Sequence, residues 1–132
     1  MSRKILVVDD EHDLAVGWER LLVRRGWDVT TVGTLGAARA ALDNGSAPAL
    51  AIVDRLLPDG DGLDIVRAAR ARGTPVIIVT GHTTAASRRR TIEEGAAGFL
   101  AKPFGGRELI DMVQAVAGEP QAWPQRPPAS PA

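Results

Sequence analysis

Three almost continuously apolar runs, Ile5-Leu6-Val7-Val8, Leu50-Ala51-Ile52-Val53 and Val76-Ile77-Ile78-Val79, constrain what this chain can fold into more than any other feature. Each reads as a strand covered on both faces, which is the pattern of the middle of a parallel sheet. Val29-Thr30-Thr31-Val32 alternates and Phe99-Leu100-Ala101 is short, so both suit sheet edges. Longer stretches with helical periodicity lie between the strands. The alternation predicts an α/β domain on an open, doubly wound parallel sheet of five strands, with helices on both faces. A chain of 132 residues, 45% of them apolar, is long enough to bury one such core.

Four of the helical stretches look like ordinary packing helices. Leu14, Trp18, Leu21 and Leu22 form an apolar stripe before Gly26; Leu35 to Leu42, preceded by Thr34, ends at Gly45; Leu63 to Ala71 ends at Gly73. The last, Arg107 to Ala117, places Leu109, Met112, Val113 and Val116 on one face before Gly118. Glycine after a helix is the usual C-terminal stop. The fourth helix, between Thr84 and Gly95, differs, because Ile92 is its one large apolar residue among Arg88, Arg89, Arg90, Glu93 and Glu94. A helix with so little to bury is held weakly, and weakly held elements supply moving parts, although a solvated surface helix is the plainer reading. Five of the nine prolines fall between 120 and 131, so the folded domain is expected to span 3–118 and a proline-rich tail or linker 119–132.

Composition removes several function classes. Sixteen Lys plus Arg balance sixteen Asp plus Glu, which argues against a dedicated binder of nucleic acid or of an anionic membrane. The chain has no cysteine, so disulfides and thiolate metal sites are excluded. The apolar run after Met1-Ser2-Arg3-Lys4 stops at Asp9, too short for a signal peptide or a spanning helix, and a cytoplasmic protein is expected.

In open doubly wound sheets the ligand site lies beyond the C-terminal strand ends. Here those ends carry Asp9-Asp10, Asp54, Thr80-Gly81 and Lys102-Pro103. Three carboxylates on one rim repel one another unless a cation sits between them, and oxygen-only ligation suits Mg²⁺. One carboxylate could instead be the nucleophile of aspartyl-phosphate chemistry, with the cation, Lys102 and Thr80 meeting the phosphoryl oxygens. The residues leave Asp10 and Asp54 both open for that role. Taken singly, an Asp at a strand end is usually a cap and Thr80 a strand residue, so the conjunction carries the reading. Lys102 is more telling, since fourteen of the sixteen cations are arginine. Pro58-Asp59-Gly60-Asp61-Gly62 lacks the spacing of a calcium loop and reads as a turn. His12 and His82 flank the rim without a partner at metal-ligand spacing and read as loop or cap residues.

The stretches Ile5-Leu6-Val7-Val8-Asp9-Asp10-Glu11, Val53-Asp54-Arg55-Leu56-Leu57-Pro58-Asp59-Gly60-Asp61-Gly62-Leu63, Val76-Ile77-Ile78-Val79-Thr80-Gly81-His82 and Gly95-Ala96-Ala97-Gly98-Phe99-Leu100-Ala101-Lys102-Pro103-Phe104 together resemble the receiver domains of two-component response regulators. The resemblance covers about residues 3 to 118. It implies a flavodoxin-like fold with strand order 2-1-3-4-5, and phosphorylation of Asp54 by a sensor histidine kinase or phosphotransfer protein in the presence of Mg²⁺. By the same resemblance Asp10 and Asp54 bind Mg²⁺ directly, the Leu56 backbone carbonyl is a third ligand, and Asp9 acts through metal-bound water. Thr80 and Lys102 contact the phosphoryl group, Lys102-Pro103 matches a bond that is usually cis, and Phe99 stands at the switch position, its plainer reading being a core aromatic. Phosphorylation would then switch the face around the fourth helix and fifth strand.

The resemblance further implies a signalling domain rather than an enzyme, assisting only its own phosphorylation and dephosphorylation. Receiver domains often pair through the fourth-helix and fifth-helix face, and Arg88 to Arg90 opposite Glu108 or Asp111 could do so here, although a solvated charge run is the plainer reading of those arginines. Three departures stand out: Arg55 directly after the acceptor, Gly98 before the switch aromatic, and Trp123 with the proline tail. Two alternatives remain. One is a receiver fragment of a longer DNA-binding regulator or hybrid kinase. The other is a Mg²⁺-dependent phosphohydrolase, disfavoured because Leu56 stands where a leaving-group acid would be wanted.

Overall fold

The computed structural model describes residues 3–81 and 83–118, so His82, Trp123 and the expected tail lie outside the described residues. In chain order the elements are β1 (Lys4–Val8), α1 (His12–Arg24), β2 (Asp28–Val32), α2 (Leu35–Asp43), β3 (Leu50–Asp54), β4 (Leu56–Leu57), β5 (Gly60–Asp61), a 3₁₀ turn (Gly62–Ile65), α3 (Val66–Ala71), β6 (Val76–Thr80), α4 (Ala85–Glu93), β7 (Gly98–Ala101) and α5 (Gly106–Ala117). Five strands form one parallel sheet in the order β2-β1-β3-β6-β7, the flavodoxin-like order expected when the short β4 and β5 are set aside.

The apolar runs become the middle strands for the reason the sequence suggests. Every residue of β3 and β6 is buried, as are the last four of β1, while β2 has no buried residue and β7 only Leu100. Successive residues of a strand face opposite ways. Ile5, Val7, Ile52, Ile77 and Val79 therefore pack against α1 and α5, and Leu6, Val8, Ala51, Val53, Val76 and Ile78 against α2 and α3. Each fully buried aliphatic side chain contributes about 1.5–3 kcal/mol, so these two layers dominate stability.

Several elements differ from expectation. Helix α1 buries Ala15, Trp18 and Leu22, whereas Leu14 is 41% exposed and stands beside Lys102, Pro103 and Phe104 at the rim. Helix α5 buries Ile110 together with Leu109 and Val113, and Met112 and Val116 only partly. The third helix is split, opening as a 3₁₀ turn. The Gly62 N–H donates to the Arg55 carbonyl at 2.7 Å, and a Cβ at Gly62 would lie 2.2 Å from the Asp54 carbonyl oxygen, so only glycine lets the turn close on the strand.

The Pro58-Asp59 turn closes a small antiparallel hairpin, pairing Leu56 with Asp61 and Leu57 with Gly60. Asp59 accepts hydrogen bonds from the Leu35 and Gly36 N–H groups at 2.8 and 3.0 Å, capping α2 from outside its own sequence. Thr34 Oγ1 accepts from Ala37 N at 3.0 Å and caps the helix locally. Helix α4 is capped likewise by Thr84, but the residue it buries is Thr91, whose hydroxyl donates to the Ser87 carbonyl. Ile92 is 68% exposed. The helix lies on the domain by a small, polar face, and its one large apolar side chain points outward. Among the described residues no helix is long and apolar enough to cross a membrane.

Candidate functional site

Parallel register sets the rim. Val8 pairs with Val53, Asp54 with Val79 and Thr80 with Ala101, so Asp9, Asp54, Thr80 and Lys102 leave their strands within one step of a common level. Asp9, Asp54 and Thr80 are buried there. The two buried carboxylates are held in the same way, by a backbone N–H two residues onward: Glu11 N to Asp9 Oδ1 at 2.8 Å and Leu56 N to Asp54 Oδ1 at 3.1 Å. Their other oxygens face Lys102. Its Nζ donates to Asp54 Oδ2 at 2.8 Å, to Glu11 Oε1 at 3.0 Å and to Asp9 Oδ2 at 3.4 Å.

Burial pushes the Asp9 carboxyl above the ordinary aspartate value; the Asp54 charge adds to the rise, while the Glu11 N–H and Lys102 oppose it. For Lys102 burial works to lower the pKa, but the hydrogen bonds and charges of Asp54, Glu11 and Asp9 outweigh it, and the ammonium is held well above the ordinary lysine value. Lys102 Nζ also lies 5.9 Å from the centroid of the Trp18 ring, which stacks on Phe104 at 5.2 Å.

Asp9, Glu11 and Asp54 offer carboxylate oxygens within 4.8 Å of one another, a hard, oxygen-only donor set of the kind a divalent cation such as Mg²⁺ takes. Asp10, expected as a direct ligand, is exposed and outside this group. Glu11, which the sequence reading did not single out, is inside it. The sequence offers only the run Asp9-Asp10-Glu11; which of them joins the rim depends on where α1 begins, and Glu11, its exposed N-cap residue, reaches Lys102 from the solvent side.

The remaining expected residues fall around this centre. Leu56 is 63% exposed on β4, and its N–H, not its carbonyl, has a partner at Asp54. The Thr80 carbonyl accepts from Lys102 N at 2.9 Å, and Lys102–Pro103 is cis. Phe99 is half-buried and belongs to neither core layer; the Arg88 guanidinium lies 5.2 Å from its ring centroid. A Cβ at position 98 would meet the Met112 sulfur at 2.7 Å, so a side chain before Phe99 would require Met112 to move aside. Arg55 engages Asp61 and Ser87 instead of the rim carboxylates, with Nε 3.2 Å from each Asp61 oxygen and Nη1 2.7 Å from Ser87 Oγ.

Comparison with known proteins identifies the family. The family model for the response regulator receiver domain matches residues 5–114. The chain is 31% identical to the photosynthetic apparatus regulatory protein RegA of Rhodobacter capsulatus over 132 residues, covering 98% of this chain and 69% of that one. It is 35% identical to the sensory transduction protein RegX3 of Mycobacterium tuberculosis over 113 residues, covering 85% of this chain and 49% of RegX3. Against several such curated relatives it therefore spans about half their length. Among solved structures, a response regulator receiver domain from Bermanella marisrubri superimposes with TM-score 0.78 at 32% identity, covering 88% of this chain and 98% of that one. The beryllofluoride-activated NtrC4 receiver domain dimer matches with TM-score 0.80 at 27% identity, covering 87% and 95%.

Proposed function

The chain belongs to the response regulator receiver family of two-component signalling, and on that premise we propose that Asp54 is its phosphoacceptor, charged by a sensor histidine kinase or phosphotransfer protein with Mg²⁺ bound. One observation carries the assignment: Asp54 is a buried carboxylate with one oxygen fixed by the Leu56 N–H and the other on the Lys102 ammonium, 2.8 Å away. A carboxylate so held is oriented for attack, and the same ammonium is in place to meet charge developing on an incoming phosphoryl group. Thr80, one strand over, supplies a hydroxyl for a phosphoryl oxygen. Mg²⁺ would neutralise the crowded acids and the phosphoryl oxygens. Buried Asp9 and Asp54 favour its binding; the family pattern makes Asp10, Asp54 and the Leu56 carbonyl direct ligands, with Asp9 acting through bound water, and exposed Asp10 has the freedom to join.

Phosphorylation then favours a second arrangement of α4 and β7, with Thr80 and Phe99 as the moving side chains. The thin packing of α4 and the half-buried position of Phe99 support this reading. In it the folded unit is 3–118, the protein works in the cytoplasm, and it signals without turning over a substrate. An exposed Leu56, where a hydrolase would want an acid, agrees. Intact mass after treatment with a small phosphodonor and Mg²⁺ tests the assignment. One labile phosphoryl group is expected, absent from Asp54→Asn; an addition that survives this substitution overturns it.

A second reading, a receiver serving a longer regulator, is favoured by the span of about half of relatives that include a DNA-binding response regulator, MtrA of Mycolicibacterium smegmatis. An open reading frame continuing past Ala132 into a DNA-binding module would support it, and a stop codon there would oppose it. We further propose that two copies pair through the α4 and α5 faces. The exposed charges Arg88, Glu108 and Asp111 around Phe99 support this, as does the dimer reported for the NtrC4 receiver.

A further inference from the structure

Arg55 is the cation that the family pattern does not ask for, and the structure gives it a definite employment. Its backbone is pinned on both sides, N–H to the Val79 carbonyl at 2.9 Å and carbonyl to the Gly62 N–H at 2.7 Å. Its side chain is only 15% exposed. The guanidinium lies on Asp61 through Nε, 3.2 Å from each carboxylate oxygen, while Asp61 Oδ1 also accepts from Leu63 N at 2.9 Å. That leaves Nη1 to reach Ser87 Oγ, in the first turn of α4, at 2.7 Å. A planar fork fixed at one edge by an acid and presenting the other edge to a hydroxyl is an arrangement lysine cannot reproduce.

Helix α4 has little else to hold this end. It buries Thr91, exposes Ile92, and its neighbouring residue Arg88 rests on the face of Phe99. Adjacent residues 87 and 88 therefore join α4 to the two parts of the domain that the proposed switch involves, Ser87 to the strand end that carries Asp54 and Arg88 to β7.

We propose that Arg55 is a positioning residue for the switch, a clasp that ties α4 through Ser87 to the acceptor strand in the resting domain and opposes the shift of α4 that phosphorylation favours. This rests on the receiver reading given above. Coupling of this kind is reciprocal: if the clasp stabilises the resting arrangement, removing it raises affinity for whatever stabilises the other. One hydrogen bond of ordinary net strength corresponds to about a fivefold change in such an equilibrium.

Three variants test the clasp in the whole chain: Arg55→Met, Arg55→Lys, which keeps the charge but not the fork, and Ser87→Ala, which removes only the acceptor hydroxyl. Amide exchange over residues 84–94 is measured in the untreated proteins, and half-saturation by beryllofluoride with Mg²⁺ is followed by tryptophan fluorescence or by exchange. All three variants are expected to exchange faster over 84–94 at rest, with residues 5–8 and 50–53 unchanged, and to half-saturate at about fivefold lower beryllofluoride. Exchange over 84–94 that is unaltered in Ser87→Ala, or full rescue by Arg55→Lys, overturns the clasp. Phosphoryl uptake by the parent, read as intact mass, reports separately on Asp54: its absence overturns the phosphoacceptor role, while exchange of the untreated variants still decides whether Arg55 holds α4.

Discussion

At the scale of single residues the site is a contest among charges. Lys102 is shared by three acids, two of them buried, and supplies the positive charge that lets Asp9 and Asp54 stay side by side. Removing it from buried partners exposes their repulsion, so Lys102→Met should lose about 3 kcal/mol in urea unfolding without divalent cations. Millimolar Mg²⁺ should restore more stability to that variant than to the parent, because the ion binds the folded state and neutralises the same acids. Equal Mg²⁺ gains in both proteins would count against a shared site. Asp9 gives a pH signature. Its folded pKa is raised, so the unfolded chain ionises it more readily, and stability present below the ordinary aspartate value is lost as pH rises through the folded value. In metal-free buffer Asp9→Asn should therefore gain on the parent between acid and neutral pH, the two converging at low pH; a constant gap in the unfolding midpoint would refute the burial argument. Asp9, Asp54, Thr80 and Lys102 were legible in the sequence because strand ends converge on one rim. The approach of the exposed Glu11 side chain to Lys102 was not, since it depends on the start of α1.

At the scale of elements, capping and packing decide which pieces hold fast. Helix α2 is capped twice, locally by Thr34 and remotely by Asp59, whose pKa is lowered chiefly by the N–H groups of Leu35 and Gly36. Stability from such an acid is present above the ordinary aspartate value and lost as pH falls through the lower folded value. Asp59→Asn should thus lower the thermal midpoint at neutral pH, with the deficit closing on acidification; a deficit independent of pH would mean that the carboxylate charge plays no part. The sequence showed Pro58-Asp59-Gly60 as a turn, but not that its aspartate serves a helix 24 residues away, which is information carried only by the hairpin's placement. The thin packing of α4 was legible from its composition. Its attachment was not: Thr91 and Ser87 face the domain and Ile92 faces out, because Arg55 and Phe99 offer polar and cation-binding partners rather than an apolar trough.

At the scale of the whole molecule, equal numbers of acids and bases conceal a division of labour, with half of the sixteen acids in the segments 9–13 and 54–64 and Arg88, Arg89 and Arg90 on α4. The fold was legible at this scale because three apolar strands admit few arrangements, and the edge strands were marked by the alternation of one and the shortness of the other, in keeping with their thin burial. For the proposed pairing of two copies, sedimentation should show a shift toward dimer on adding beryllofluoride and Mg²⁺, and Asp111→Arg should weaken it by placing like charges opposite the α4 arginines. A dimer indifferent to that substitution would move the interface elsewhere. The bond from Asp59 to α2 has one more consequence. On one flank of the rim the hairpin is tied to a well-seated helix; on the other, the first turn of α4 meets the Arg55 guanidinium and the Phe99 ring, and the helix buries only Thr91. In the proposed switch, a change at Asp54 would therefore meet a tied flank on the hairpin side and a thinly held one on the α4 side.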